Sequence, residues 1–435
     1  MMYLILFITL AIYIGMVFFS KHRTAITFIG AGLLLTLGVI NQSFDPIVAF
    51  QSFPSEIIIL VIVLALFTDV FERAGIINYI EYKFLQFSKS RRIVIIMCMP
   101  LLIYVTSLFM NNLTVVLLFA SMALCMAKDY KLPIIPLLVS IVIGSNIGGA
   151  ALPWADTPAV ILTLYTDFNL IDFLLKLFIP CFVYAVGLSL YSYLWYRGDK
   201  GSTEKKVLTY NDKPIINKQE IKVPAIIFIL YIVSVSIAPF YKISIAYVSL
   251  FFGGILLLVQ KKNPMDALNG LQIMDSITFL AALFLMGGIL ENCGFLKIVA
   301  NSIMGITGSS GYLIALAVLL IGFCIATLLS AGPAAATLLP ICQALEGAVP
   351  NKFIYVALAL GILAGSSMLP WSATGGPILL SEVNRFLKQV NDESERKRIE
   401  QIFSLKKYVI FSIPFSIIML ALDAIYIYIC IAVLV

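Results

Sequence analysis

Ionisable side chains are scarce in this chain. Only 12% of its 435 residues are Asp, Glu, Lys or Arg, and there is a single histidine. An ordinary soluble domain carries roughly 25% charged residues. With His22 alone, in a basic loop, and no H-E-x-x-H pattern, no histidine-based metal centre or acid–base pair can be assembled. The seven cysteines (98, 125, 181, 293, 324, 342 and 430) stand singly in apolar runs without a C-x-x-C. They read as small membrane hydrophobes, and neither a zinc site nor a disulfide framework is indicated. A membrane enzyme would need converging acid, base or metal ligands, so an enzyme and a cofactor are both disfavoured. The net charge of +6 reflects membrane orientation, and no nucleic-acid partner is implied.

Apolar residues fill the space that charge leaves, at 61% of the chain with a mean hydropathy of +1.03. One buried core cannot absorb that much, so most of the chain is expected in lipid. A hydrocarbon core of about 30 Å needs roughly 20 apolar residues per helix. Candidate spans are 2–20, 24–41, 55–75, 133–165, 172–196, 222–238, 243–260, 274–293, 352–386 and 407–433. The first lacks a basic n-region and a small-residue cleavage site and is read as a retained span. Regions 92–127 and 312–346 are split by Asn111-Asn112 and by Ser330-Ala331-Gly332-Pro333. Their second arms, about 13 to 15 residues, would reach only ~20–22 Å. Both regions are therefore expected to be re-entrant hairpins.

Charge placement supports this arrangement. Ten crossings and two hairpins put 25 of the 29 Lys and Arg residues on one side, leaving Lys176, Lys242, Lys297 and Lys352 toward the other. The rich side is expected to be cytoplasmic. In a multi-pass protein of the plasma or inner membrane, the linker 198–221 and the loop 387–405 would then be cytoplasmic, with both termini outside.

Two stretches break the apolar pattern. Leu152-Pro153-Trp154, in SNIGGAALPWADTPA, recurs as Leu369-Pro370-Trp371, in GSSMLPWSATGGP, 217 positions later. Ala65-Leu66-Phe67 recurs as Ala282-Leu283-Phe284 at the same offset, and Glu72–Gly75 as Glu291–Gly294 at an offset of 219. The expected architecture is thus an all-α polytopic membrane protein of two halves, 1–197 and 222–435. Each half has five spans, one re-entrant hairpin and one broken helix. Five is odd, so the halves would be inverted relative to one another. Inverted repeats with paired broken helices characterise secondary transporters, with the site between the breaks. A passive channel can use re-entrant hairpins, yet two unwound helices favour alternating access.

Unwound backbone in a membrane is tolerated where it lines a cavity. Gly148, Gly149, Gly365, Gly375 and Gly376 would allow close approach of backbone to ligand. Asp156 carries the only charge of the first break, and two readings stand: cation or proton coupling, or a cap on the half-helix after it. Asn111, Asn112 and Thr114 would cap the inner arm of the first hairpin or face the ligand. Ser145, Asn146, Thr157, Ser330, Ser366, Ser367, Ser372 and Thr374 supply hydrogen-bonding groups at the breaks and the second hairpin tip. A Na⁺ site near Asn146, Asp156 and Ser366 is expected if Na⁺ is the coupling ion. Trp154 and Trp371 would wall the cavity or pack on neighbouring helices. Asp69, Glu72 and Glu291 read as interfacial or capping charges.

The run from Met110 to Ile161 resembles the first-half signature of the ion transporter superfamily, which includes arsenite permeases, sodium/proton antiporters and divalent-anion/sodium symporters with citrate-transporter-like domains. Ser145-Asn146-Ile147-Gly148-Gly149-Ala150 followed by Asp156-Thr157-Pro158 comes closest to the arsenite-permease and antiporter branch. Two features depart from the expected pattern: Ser330-Ala331-Gly332-Pro333 lacks the Ser-Asn-Thr-like triplet of the dicarboxylate branch, and Ser372-Ala373-Thr374-Gly375-Gly376 replaces the usual second proline-asparagine run. The resemblance implies a scaffold domain, a mobile transport domain holding both hairpins and both broken helices, and a homodimer. It leads to the expectation of a small anionic or inorganic solute, a carboxylate or oxyanion moved with H⁺ or Na⁺ by elevator-type alternating access. Arsenite efflux and Na⁺/H⁺ antiport are the alternatives.

Overall fold

The computed structural model describes residues 2–18, 22–40, 53, 55–88, 91–110, 112–130, 132–198, 218–241, 243–260, 263–269, 271, 274–292, 295–308, 310–373, 375–389 and 403–433. All regular structure among them is helical. The first half contains α1 (Met2–Phe18), α2 (Arg23–Ile40), α3 (Ser55–Arg73) and α4 (Ile76–Ser88). A helical hairpin follows, of α5 (Arg92–Ser107) and α6 (Asn112–Tyr130), then a helix broken into α7 (Ile134–Ala151) and α8 (Thr157–Tyr165). α9 closes the half, running from Leu170–Asp172 through a π turn at Phe173–Phe178 into Ile179–Gly198. Its start is fixed by a capping box between Asn169 and Asp172.

The second half repeats this order. α10 (Lys218–Ile237), α11 (Ile245–Val259), the short α12 (Pro264–Asn269), α13 (Met274–Asn292) and α14 (Phe295–Thr307) precede the hairpin of α15 (Gly311–Leu329) and α16 (Ala331–Leu345). The second broken helix is α17 (Phe353–Ser366) plus α18 (Gly376–Gln389), and α19 (Leu405–Tyr428) ends the chain with a π turn at Ile429–Val433. The segments Ile134–Ala151, Leu170–Tyr196, Gly311–Leu329 and Leu405–Ile431 are long and apolar enough to cross a bilayer on length and composition alone. Others are shorter than their apolar runs. The span read as 243–260 is a 15-residue helix, because Ser244 caps its start and Gln260 already turns away.

Packing exchanges the halves. α3 lies against α10 and α11 of the other half, while α13 lies against α2 and α1. Deeper in, α6 packs on α18 and α8 packs on α16, each pairing a hairpin arm with the other half's broken helix. Ser244, which caps α11, also donates to Glu56 in the first turn of α3 at 2.9 Å. The first arms of the broken helices form the centre: every residue of α17 is buried, and so is all of α7 except Ala150. Gly361 and Gly365, one turn apart, make this possible for α17. A Cβ there would stand 2.3 Å from the Leu319 carbonyl oxygen and 2.2 Å from that of Phe323, so only glycine admits the close crossing with α15.

Two features differ from the sequence reading. The second arm of the first hairpin has 19 residues (Asn112–Tyr130), against 15 for Ala331–Leu345. At 1.5 Å per residue that is about 28 Å, within reach of a full crossing. Lys128 and Asp129 ended the apolar window, yet the backbone stays helical through them. The regions 76–88 and 295–307, outside the candidate spans and hairpins, are the 13-residue helices α4 and α14. They occupy the same place in each half and mix apolar with polar residues, and at 13 residues, about 20 Å, each is too short to cross a bilayer. Helices of this type lie along a membrane surface.

Candidate functional site

The first break runs from Leu152, where α7 turns into extended backbone, to Asp156. Pro158 in the first turn of α8 has no N–H to donate and fits where helical partners are missing anyway. Asp156 caps this helix, its Oδ1 accepting from the Thr157 N–H at 2.8 Å. Its Oδ2 accepts from Asn112 Nδ2, also at 2.8 Å. Asn112 Oδ1 lies 2.5 Å from Ser107 Oγ, which in turn is 2.8 Å from the Ser145 carbonyl oxygen. The Ser107 hydroxyl has one proton for these two acceptors. Trp154 anchors the segment by donating from Nε1 to the Leu108 carbonyl at 3.1 Å, and is buried there, whereas Trp371 is 46% exposed. The two tryptophans are therefore not equivalent walls of one cavity. Gly149 leaves room for the whole group: a Cβ would meet Asn112 Nδ2 at 2.7 Å and Asp156 Cβ at 2.8 Å.

The second break is held by its own backbone. Ser372 Oγ lies 2.7 Å from the Leu369 carbonyl oxygen and 3.0 Å from that of Ser366, and it accepts from the Leu369 N–H at 3.1 Å. Ser145 and Ser366 spend their hydroxyls on Val142 and Leu363 of their own helices. Asn146 joins the breaks, with Nδ2 3.4 Å from both the Ser366 carbonyl oxygen and Ser367 Oγ. Gly148 and Gly365 face neighbouring helices, against Tyr104 and Phe323. Gly375 and Gly376 face Val116 and Pro370. Ser330, at the second hairpin tip, has φ 92° and ψ 169°, a conformation that strains any residue with a Cβ, and it places no side-chain cap on α16.

Two cavities meet at Asp156. One is lined by Asn146, Gly149, Asp156, Phe173, Ala331 and Ser366, among others, and lies between both breaks and the tip of the second hairpin. The other is lined by Val61, Leu64 and Thr68 of α3 together with Met110, Trp154, Asp156 and Thr157. Each has a water-accessible volume of about 20 Å³, near that of one or two water molecules. Among the described residues, Asp156 is the only charged one lining either. Carbonyl-rich ends of α7 and α17 flank the first cavity, and Ala331, the first residue of α16, lines it at a helix N-terminus that Ser330 leaves without a side-chain cap; a helix C-terminus suits a cation and a helix N-terminus an anion.

Of the residues singled out in the sequence, Asn112, Asn146, Gly149, Asp156, Thr157 and Ser366 come together around these cavities. Thr114 is half-buried in α6 and lines neither; Ser372 knits the break. Asn111 and Thr374 lie outside the described residues, as do the side chains of Glu72 and Glu291. Asp69 pairs with Arg73 on its own helix. Ser107 was missed. Its signal was a polar pair, Thr106-Ser107, ending an apolar arm five residues before Asn112.

The citrate transporter family matches residues 4–361 and again 238–434. The chain belongs to that family. Among curated relatives of this citrate transporter family member is the magnetosome protein MamN of Magnetospirillum gryphiswaldense, 24% identical over 97% of this chain and 98% of that protein. A 46 kDa membrane protein of Mycobacterium leprae is 24% identical over 82% and 85%. Among solved structures, the YdaH transporter of Alcanivorax borkumensis has the same fold, with a TM-score of 0.62 over 91% of this chain and 89% of that one at 12% identity. The family member is thus a multi-pass membrane transporter and not an enzyme. The match falls in the citrate-transporter branch of the resemblance, although residues 145–158 come nearest the arsenite-permease and antiporter pattern.

Proposed function

We propose that this transporter is secondary active and moves a small carboxylate or oxyanion together with H⁺ or Na⁺. One observation carries the reading: Asp156, the only charge lining the site among the described residues, shares a cavity with the uncapped N-terminus of α16. An anion facing both would be attracted by the helix end and repelled by the carboxylate. A proton or Na⁺ on Asp156 removes the repulsion, so cargo and coupling ion favour each other's binding. That is the thermodynamic content of symport. The volume at the site suits an ion or a water, so carboxylate cargo needs the cavity to open.

The crosswise packing of α3 with α10 and α11, and of α13 with α1 and α2, supports two halves related by inversion. Helices α1–α3, α10, α11 and α13 serve as scaffold, and the hairpins, broken helices, α9 and α19 as the moving body. The bodies meet where α8 touches α3, where α16 touches α13, and where Tyr165 stacks on Phe284 at 5.5 Å. Sliding along this boundary would carry the site across the membrane as a rigid unit, with two protomers sharing a scaffold.

Cation exchange is the second reading, favoured by the absence of Lys, Arg and His from both cavity linings among the described residues. Flux in proteoliposomes separates the two. Uptake of labelled citrate or another di- or tricarboxylate under an imposed H⁺ or Na⁺ gradient supports symport. Gradient-driven Na⁺ or proton movement without any carboxylate, or transport of arsenite alone, would overturn it.

A further inference from the structure

Six buried side-chain polar atoms among the described residues have no protein hydrogen-bond partner: Tyr104 OH, Ser192 Oγ, Gln260 Nε2, Tyr408 OH, Ser416 Oγ and Asp423 Oδ2. Five of them belong to α5, α9 and α19, three helices packed around α7. Each such atom is costly to leave unserved, and the usual remedy is buried water. Three lie on α19, where Tyr408, Ser412, Ser416 and Asp423 recur at helical intervals along its buried face. Ser412 Oγ on that face donates to the Met368 carbonyl at 2.6 Å, which ties the stripe to the second break. Asp423 lies eleven residues further on, about 16 Å along the axis.

Asp423 is wholly enclosed. Its Oδ1 accepts from the Tyr184 hydroxyl of α9, and its Oδ2 has no protein partner. α9 also brings Cys181 toward it, while Tyr426 and Cys430 on its own helix interact with each other, the Tyr426 hydroxyl donating to the Lys176 carbonyl. Of the other helices packed on α19, α7 has no ionisable residue, α15 has only Tyr312 and Cys324, and α17 only Tyr355. Lys176, whose carbonyl accepts from the Tyr426 hydroxyl, has its ammonium taken by Asp172 and the Asn351 carbonyl. Among the described residues no cation faces Asp423. A carboxylate with no counter-ion is expensive in a membrane interior, and its protonated form is not.

We propose that the buried face of α19 holds a short file of water molecules and that Asp423 is a proton-binding site on it, separate from Asp156. Its existence does not depend on the transport reading; its use as a source of a coupling proton does. Infrared difference spectroscopy of the purified full-length protein in lipid nanodiscs tests the proton directly. A carbonyl band of a protonated carboxylic acid is expected in the wild type and in Asp156→Asn. It should vanish in Asp423→Asn and move to higher frequency in Tyr184→Phe, which removes one hydroxyl and leaves the packing intact. A band absent from the wild type, or unchanged in both Asp423→Asn and Tyr184→Phe, overturns the site. Hydroxyl-radical labelling read by mass spectrometry tests the water. Met419, fully buried on the same face, should label faster than Met286, which is equally buried on α13. Equal protection of the two methionines overturns the water file.

Discussion

Asn112 donates to Asp156 across 44 residues of sequence, at 2.8 Å, and thereby joins the inner arm of the first hairpin to the first helix break. The same carboxylate caps α8 through its other oxygen. A cap is satisfied with one oxygen, so the second is the one that a hairpin movement or a bound cation can claim. The capping and coupling readings of Asp156 thus describe different atoms of one side chain.

Removing the donor tests this division. In Asn112→Ala, Oδ2 loses its protein partner and the protein should lose about 1–3 kcal/mol of stability. The α8 cap remains. Differential scanning fluorimetry should show a lower melting temperature, and added coupling ion should restore more of it than in the wild type, because the ion takes over the vacant oxygen. No restoration by either Na⁺ or acidification would separate Asn112 from the ion site.

Space at Gly149 is equally specific. Gly149→Ala drives a methyl group into Asn112 and Asp156, which overpacking places at about 1–3 kcal/mol. Gly254→Ala on α11 adds the same methyl where nothing lies within 4 Å. Transport should collapse in the first variant and stay near wild type in the second when both are expressed to the same level.

The helix order was legible because lipid demands it. A run such as 172–196 has no soluble alternative, and the Leu-Pro-Trp repeat marked both breaks before any coordinates. What a reading for membrane spans left out was the rest: α4 and α14, each too short at 13 residues to cross, and the last turn of α6, which runs on through Lys128 and Asp129. Pairing across the halves was invisible for a different reason, since nothing in one sequence says that α6 meets α18. Ser107 and Asp423 were visible and passed over. An aspartate inside the apolar run 407–433 should have drawn the same attention as Asp156, and it lacked only a neighbouring glycine or proline to signal it.

Strain at Ser330 makes a prediction of opposite sign. Its φ of 92° costs a residue with a Cβ about 1–3 kcal/mol, and glycine escapes most of that. Ser330→Gly should raise the melting temperature, whereas Ser330→Ala, which keeps the Cβ, should not. If the tip must change conformation during transport, the Gly variant should also show altered turnover at unchanged expression.

Orientation follows from the lysine and arginine asymmetry and is tested outside the folded core. Ser202→Cys, in the linker 198–221, should resist an impermeant thiol reagent in intact cells and react once the membrane is opened. Labelling from outside would reverse the sidedness and the direction from which each hairpin enters.

The central claim is that Asp156 binds the coupling ion, and Asp156→Asn in proteoliposomes tests it most directly. The asparagine still offers an oxygen to the Thr157 N–H, so α8 keeps its cap, and loss of a membrane charge does not hinder insertion. Labelled citrate, or whichever carboxylate the wild type carries, would be followed under an imposed H⁺ or Na⁺ gradient and in exchange without one. The account predicts that the variant fails to accumulate cargo above equilibrium and loses its dependence on the ion, while exchange persists. Accumulation equal to wild type, with the same ion dependence, would contradict it.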